Sequence, residues 1–434
     1  MPDFVVVGGG VGGLVVARRL ALGGASVTLL EASDHLGGTV AHHRVGGLDL
    51  DAGAESFAVR GGTVAALLTE VGLGDEIVTP NPEGAWLQPS TGAAVPLPKL
   101  SLLGIPGDPR ADDVAAILGA AGARVAERDA ELPGDFAADA SSLGDLVERR
   151  MGTAVLDNLV APIVRGVHSI DPHELDIDRV APGLRDAMRR TGSLASAVLE
   201  LRASARAGSS VAGIRGGLHL LVRALVADLD RLGVDIHLNS RVVSVEDGAV
   251  EVEGGAVEVD AGAVSVAGGE RMVGRIVVAA PGLLGVPIED GHRAVLATLV
   301  LDAPELRSAP RGTGVLVAAG AAGVTARAAT HSTAKWPWLA ERAAGREVVR
   351  LSYGIELPGH AELARLDAMR LFGVTLPASS VIDFDLVEWR RPTRQAHTPN
   401  GISLVGETAS GTGLAAVISG AEAEARSLLR DFAQ

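Results

Sequence analysis

A short apolar run broken by glycines constrains this chain more than any other feature. Phe4-Val-Val-Val7 is followed at once by Gly8-Gly9-Gly10-Val11-Gly12-Gly13. Four apolar residues ended by glycine read as a buried parallel strand. Gly8, Gly10 and Gly13 fit the spacing G-x-G-x-x-G, Val15–Leu22 has helical character, and a second strand is expected over Ser26–Leu30, closing on Glu31. Each part has a mechanical reason. The first glycine makes the tight turn, the second lets backbone approach a pyrophosphate, and the third lets helix and strand pack closely, while the helix N-terminus favours phosphate charge. Glu31 is placed to accept hydrogen bonds from ribose hydroxyls, and its charge would repel a 2′-phosphate. A bare glycine spacing arises easily in a chain with 56 glycines. Strand, turn, helix, strand and acidic residue in that order make it a dinucleotide site; Gly12 belongs to the same turn.

Three further segments argue for FAD rather than NAD. Leu36-Gly37-Gly38-Thr39 is a second glycine turn, where a flavoprotein wraps the longer cofactor. Asp51-Ala-Gly-Ala54-Glu55-Ser56-Phe57 is a small-residue segment suited to backbone approach to a flavin. Near the other end, Gly401-Ile-Ser-Leu-Val-Gly406-Glu407 reads as a strand ending in Gly-Glu, followed by Gly411-Thr-Gly413-Leu414 and a helix. A helix starting near Gly413 would aim its positive dipole at the flavin pyrimidine, where reduced flavin carries negative charge.

With such pieces at both ends, the FAD-binding domain is discontinuous. Gly213–Leu218 leads into an expected helix (Leu220–Leu232) and strands over Asp235–Leu238 and Arg241–Val245; the strand near Val245 is suited to present backbone to the adenine edge. Arg275–Pro281 reads as another buried strand, and the alternation at Val250–Glu253 and Val257–Asp260 as a meander. Residues 111–211 are helix-rich, and 294–389 alternate as a sheet would. The expected class is α/β, α+β overall: a Rossmann-like FAD-binding domain (1–60, 212–282, 398–434), an inserted mixed-sheet substrate domain (61–110, 283–397) and a helical lobe (111–211). A deep cleft between the lobes is the expected active-site location.

Composition removes several classes of function. The chain has no cysteine, which excludes disulfides, thiolate metal sites and cysteine nucleophiles. Its net charge of −15 argues against general nucleic-acid binding. A local arginine cluster can still reverse the field in one cleft. No long apolar run suggests a membrane span, no signal-peptide pattern precedes the first strand, and a cytoplasmic setting is expected. His42, His43, His168 and His331 lack metal-ligand spacing, so no metal is expected. Lysine occurs only at positions 99 and 335 among 38 basic residues, which singles out Lys335.

Over nearly its full length the chain resembles the oxygen-dependent protoporphyrinogen/coproporphyrinogen oxidases of haem synthesis, within the amine-oxidase-like flavoproteins. The resemblance is carried by Gly53-Ala-Glu-Ser-Phe57, Leu97-Pro…Gly104-Ile-Pro106, Ala161-Pro-Ile-Val-Arg165-Gly166-Val-His…Asp171-Pro, Ser332-Thr-Ala-Lys335-Trp336-Pro337 and Gly411-Thr-Gly413-Leu. Two stretches depart from the family: Arg390–His397 keeps only Gln395 and His397 of the usual pattern, and Ala415-Ala416 replaces Asp-Cys. The resemblance implies an FAD enzyme that removes hydrogens from a porphyrinogen in three two-electron steps, O2 being reduced to hydrogen peroxide. The flavin carries that chemistry, so no acid–base dyad is required. For the substrate carboxylates the nominated residues are Lys335 and Arg165, then Arg60; Arg165 can instead pair with Asp171 or Glu174. Trp336 is a candidate for packing on the flavin, with support of its own loop the favoured reading. Coproporphyrinogen III is the expected substrate, with protoporphyrinogen IX the alternative. A transient contact with the next enzyme of haem synthesis is expected. An amine oxidase is disfavoured because four Trp, one Tyr and six Phe make a poor aromatic cage; a non-catalytic porphyrin-binding homologue is the remaining reading.

Overall fold

Phe4–Val7 alternates perfectly between two apolar surroundings, and the first half of the architecture follows from it. In the computed structural model of the chain the described residues are 2–168, 170–204, 211–246, 249–252, 263–265, 271–273, 275–280, 283, 292–355, 361–391 and 402–432. Contacts divide the chain into two compact units, residues 1–80, 209–292 and 389–434 in the first, and 81–208 and 293–388 in the second. Residues 111–204, expected within a lobe of their own, cluster with the large sheet in the second unit.

The first unit is built on five parallel strands in the order Asp235–His237, Val27–Leu30, Phe4–Val7, Arg275–Val278, Ser403–Leu404. Phe4 aligns with Val27 on one side and with Arg275 on the other. Phe4 and Val6 pack with helices Val11–Leu22, His219–Arg231 and Leu414–Phe432, through Leu14, Leu20, Leu221, Leu225, Ile418 and Ala421. Val5 and Val7 bury into a smaller cluster on the opposite face, with Leu30, Val242, Ile276 and Val278. A strand apolar at every position is what burial on both faces demands. The first helix begins at Val11, four residues before the expected start, because Gly12 and Gly13 form its first turn.

The second unit carries a seven-stranded sheet in the order Val381–Arg391, His292–Leu301, Glu347–Tyr353, Ala328–His331, Gly314–Val317, Trp86–Gln88, Val95–Pro96. The strands from His292–Leu301 to Val95–Pro96 pair antiparallel, except that Gly314–Val317 and Trp86–Gln88 run parallel. Val295, Leu299, Val349, Leu351 and Tyr353 share one core with Ala364, Ala368 and Leu371 of the helix Ala361–Phe372. A separate helical core gathers Leu146, Leu159, Val160, Ile177, Met188 and Val198. The segment around Gln395 and His397, the alternation at Val257–Asp260 and the end of the strand at Pro281 lie outside the described residues.

Candidate functional site: a glycine cradle at the strand ends

In an open parallel sheet, ligands bind beyond the carboxyl ends of the strands where the order reverses. Here that point lies between Phe4–Val7 and Arg275–Val278, and their ends meet at Gly8 and Ala279. Gly8 has φ of +107°, donates its N–H to Leu30 O (2.8 Å), and a Cβ on it would press on Ala279 C and Ala280 N at 2.9 Å. A Cβ on Gly13 would strike the Gly8 carbonyl oxygen, and one on Gly12 would come within 3.0 Å of Gly406 Cα. These glycines are dictated by packing. Gly10 differs: a Cβ there meets nothing within 4 Å. It is the N-cap of the helix Val11–Leu22, with no side chain capping that end and no acidic residue in its first turn. The first amides of a helix lack intrahelical acceptors, so the open side of Gly10 is a cradle suited to an anion.

The other glycine-rich segments close on the same place. Gly37 donates its N–H to Gly9 O (2.8 Å) and bridges Gly10, and Gly38 lies against Gly10, a Cβ on it coming 3.4 Å from the Gly10 Cα. Gly53 sits so near Thr39 that a Cβ would strike the Thr39 carbonyl, and Ala54 N donates to that oxygen at 3.1 Å. Trp389 Nε1 donates to Ala52 O (3.2 Å) and holds the segment from the other side. Val405 N donates to Val278 O (2.9 Å), bringing Gly406 and Glu407 to the same strand ends. The long helix begins at Leu414, immediately after Gly413. Thus the turns around Gly8–Gly13, Gly37–Gly38, Gly53–Ala54 and Gly406 form one cluster. Glu55 and Ser56 follow in the same segment, half-buried.

Glu31 is engaged with this cluster. One carboxylate oxygen accepts from Gly9 N (2.7 Å), the other from Ser33 N and Oγ (2.8 Å each). A carboxylate has about four lone-pair sites, so these three bonds leave acceptor capacity for a ribose hydroxyl. Val245 lies on the strand Val242–Glu246, which pairs with Ala249–Val252. Arg60 is exposed just before the helix Thr63–Glu70 in the first unit.

Arg165 and Lys335 belong to the second unit. Arg165, on the helix Ala161–His168, donates to Asp171 Oδ2 at 2.7 Å, so of the two acidic partners weighed for it Asp171 is realised. Burial raises the Asp171 carboxyl, but the bonds from Arg165 and His173 N outweigh it and hold its pKa below the ordinary value. Lys335 ends the helical turn Ser332–Lys335, with Nζ 5.1 Å from the centroid of the Trp336 ring. Trp336 is 3% exposed, buried under that lysine. The turn is braced by a buried network in which His331 Nε2 meets Glu347 Oε2 (2.9 Å) and Thr333 Oγ1 donates to the same oxygen (2.5 Å).

Sequence reasoning missed three groups. Asp51 accepts from Leu218 N, His219 N and His219 Nδ1 at 2.8–2.9 Å, fastening the glycine-rich segment to the start of a helix 167 and more positions away. Trp389 and Arg327 were equally invisible, because the groups around them come from remote segments.

The sheet order and the glycine cradle are those of a Rossmann-like fold, and comparison with known proteins narrows the class. The pattern of flavin-containing amine oxidoreductases matches residues 11–282. The coproporphyrinogen III oxidase of Mycobacterium tuberculosis is 30% identical over 380 residues, 81% of this chain and 76% of that one. The enzyme of the same name from Bacillus subtilis is 24% identical over 81% of this chain and 77% of its own. Among solved structures, a candidate protoporphyrinogen oxidase from Exiguobacterium sp. shares the fold with a TM-score of 0.78 at 23% identity, covering 99% of this chain and 98% of its own. The chain belongs to the flavin-containing amine oxidoreductase family and, within it, to the protoporphyrinogen/coproporphyrinogen oxidases. It is a flavin-dependent oxidoreductase, as the α/β fold with its Rossmann-like unit and separate mixed sheet led one to expect.

Proposed function

We propose that the protein is an FAD-dependent oxidase converting coproporphyrinogen III to coproporphyrin III in haem synthesis. The observation that carries this reading is the match to coproporphyrinogen III oxidases over 81% of the chain, in a chain whose glycine segments close on one cradle. A flavin held in this cradle would supply two-electron oxidation of the macrocycle, with O2 as the final acceptor and hydrogen peroxide as its product. Three such rounds remove six hydrogens and consume three O2.

The chain's own residues bind and orient. In this reading Gly10 and the first amides of the helix Val11–Leu22 hold the pyrophosphate, Glu31 the ribose, and the backbone near Val245 the adenine edge. Gly37, Gly38 and Ala54–Ser56 line the cofactor, and Gly406, Glu407, Gly413 and Leu414 bring a helix N-terminus toward the flavin pyrimidine. Lys335 and Arg165 orient substrate carboxylates, and Arg60 is a further candidate. Trp336, buried beneath Lys335, fits the role of supporting that loop better than that of touching flavin. Among the described residues no helix is long and apolar enough to cross a membrane; the proposed setting is the cytoplasm.

Protoporphyrinogen IX is the second reading, since a chloroplastic protoporphyrinogen oxidase from rice is 29% identical over 56% of the chain. Initial rates of porphyrin formation on the two substrates decide between them. Coproporphyrinogen III is expected to give the higher kcat/KM, because a tetracarboxylate exploits more cationic groups than a dicarboxylate. Faster turnover of protoporphyrinogen IX would reverse the assignment.

A further inference from the structure

We infer that Arg327 is the centre of an anion-binding subsite in the second unit, completed by Arg165 and built to take one carboxylate of the substrate. As to which ligand supplies that carboxylate, the inference rests on the porphyrinogen reading. At Arg327 a fixed backbone carries an unanswered charge.

Arg327 stands just ahead of the strand Ala328–His331. Its N–H donates to Ser352 O (2.7 Å), and its carbonyl accepts from Val317 N (3.0 Å). The two residues before it are pinned as well. Thr325 N and Ala326 N donate to Asp367 Oδ2 at 3.1 and 2.9 Å, and Asp367 is fully buried on the helix Ala361–Phe372. Burial raises the Asp367 carboxyl even against those two bonds, so the anchor is there for position. The guanidinium has no such anchor. Among the described residues it makes no hydrogen bond and no ion pair. It lies across Gly354, where a Cβ would run into the guanidinium carbon; the Gly354 backbone is outside the left-handed region, so glycine stands there for space.

A second cation aggravates the charge. Burial lowers the Arg327 pKa, and the Arg165 charge lowers it further, although a guanidinium stays protonated at neutral pH. Arg165 reaches this place because Gly166, its neighbour on the helix Ala161–His168, packs on Leu316 and Ala328, the residue after Arg327. Among the described residues Arg165 pairs with Asp171 alone, which leaves two guanidinium groups to one carboxylate. Arg327 is half-buried, and both its partial withdrawal from water and its placement beside a like charge cost free energy. An arriving anion removes both at once. The planar fork of the guanidinium is matched to a carboxylate, which it binds through two parallel hydrogen bonds.

The test titrates flavin-loaded wild type, Arg327→Gln and Gly354→Ala with coproporphyrin III and with its tetramethyl ester, following porphyrin fluorescence. Arg327→Gln is expected to weaken binding of the acid about ten- to a hundred-fold, with ester binding and flavin spectrum unchanged and a melting temperature equal to or above that of wild type. Gly354→Ala removes no charge but displaces the guanidinium, and it is expected to show the same selective loss. It also decides the matter should Arg327→Gln not fold. Wild-type affinity for the acid in both variants would overturn the subsite and leave the porphyrinogen reading standing. Wild type that binds neither porphyrin would instead overturn that reading. In that event phenylglyoxal labelling of Arg327 with and without propionate judges the subsite: protection by propionate but not by propionamide supports it, and equal labelling overturns it.

Discussion

Gly10 and Gly13 look alike in the sequence, and the structure gives them opposite reasons to be glycine. A methyl group on Gly13 collides with the Gly8 carbonyl, whereas one on Gly10 meets only open space. Gly13→Ala is therefore expected to destabilise the protein by about 1–3 kcal/mol, as overpacking does, and to lower the melting temperature. Gly10→Ala should leave the melting temperature of flavin-depleted protein unchanged and reduce flavin affinity, because the methyl occupies the space proposed for the pyrophosphate. Thermal melts of the depleted proteins with flavin titrations check both; full flavin affinity in Gly10→Ala would remove the cradle from the site. The positions of these glycines were legible from spacing alone. Which of them serves packing and which serves a ligand was not, because that depends on how the turn folds Gly13 back onto the Gly8 carbonyl and leaves Gly10 open. Arg327 was hidden because its meaning comes from Gly354, Asp367 and Arg165, none adjacent in sequence.

At the scale of elements, periodicity and glycine punctuation located the strands Phe4–Val7, Val27–Leu30, Asp235–His237 and Arg275–Val278 and the helix His219–Arg231 to within a few residues. Each has a pattern that its own neighbours in the chain determine. The start of the first helix was misjudged because glycine is a poor helix former, and here close packing against Gly8 and Gly406 overrides that propensity. Capping was a larger omission. The helix His219–Arg231 is held at its start by Asp51, buried with His219 and accepting from Leu218 N and His219 N. Asp51→Ala leaves those groups without their acceptor and is expected to cost about 1–3 kcal/mol, read as a lower denaturation midpoint. It also detaches Gly53–Phe57 from its support, so flavin retention should fall with it. Unchanged stability would mean that water replaces the carboxylate.

Over the whole molecule, the parallel sheet draws strands that begin at residues 4, 27, 235, 275 and 403. A discontinuous unit was legible because both of its ends carry glycine turns of the same chemical kind. Its strand order was not, since periodicity says that a strand is buried without saying beside which partner. The substrate chemistry is further still from the chain's own pattern, because the flavin carries the reaction and the protein contributes placement and charge. Porphyrinogen oxidation is therefore best observed on the cofactor itself. Purified protein is freed of oxygen, mixed with coproporphyrinogen III, and its absorption spectrum followed. An oxidised flavin spectrum is expected at the start, bleaching on addition of the porphyrinogen, and returning with porphyrin absorption when oxygen is admitted. A protein that binds no flavin, or whose flavin spectrum the porphyrinogen leaves unchanged, would contradict the proposed oxidation.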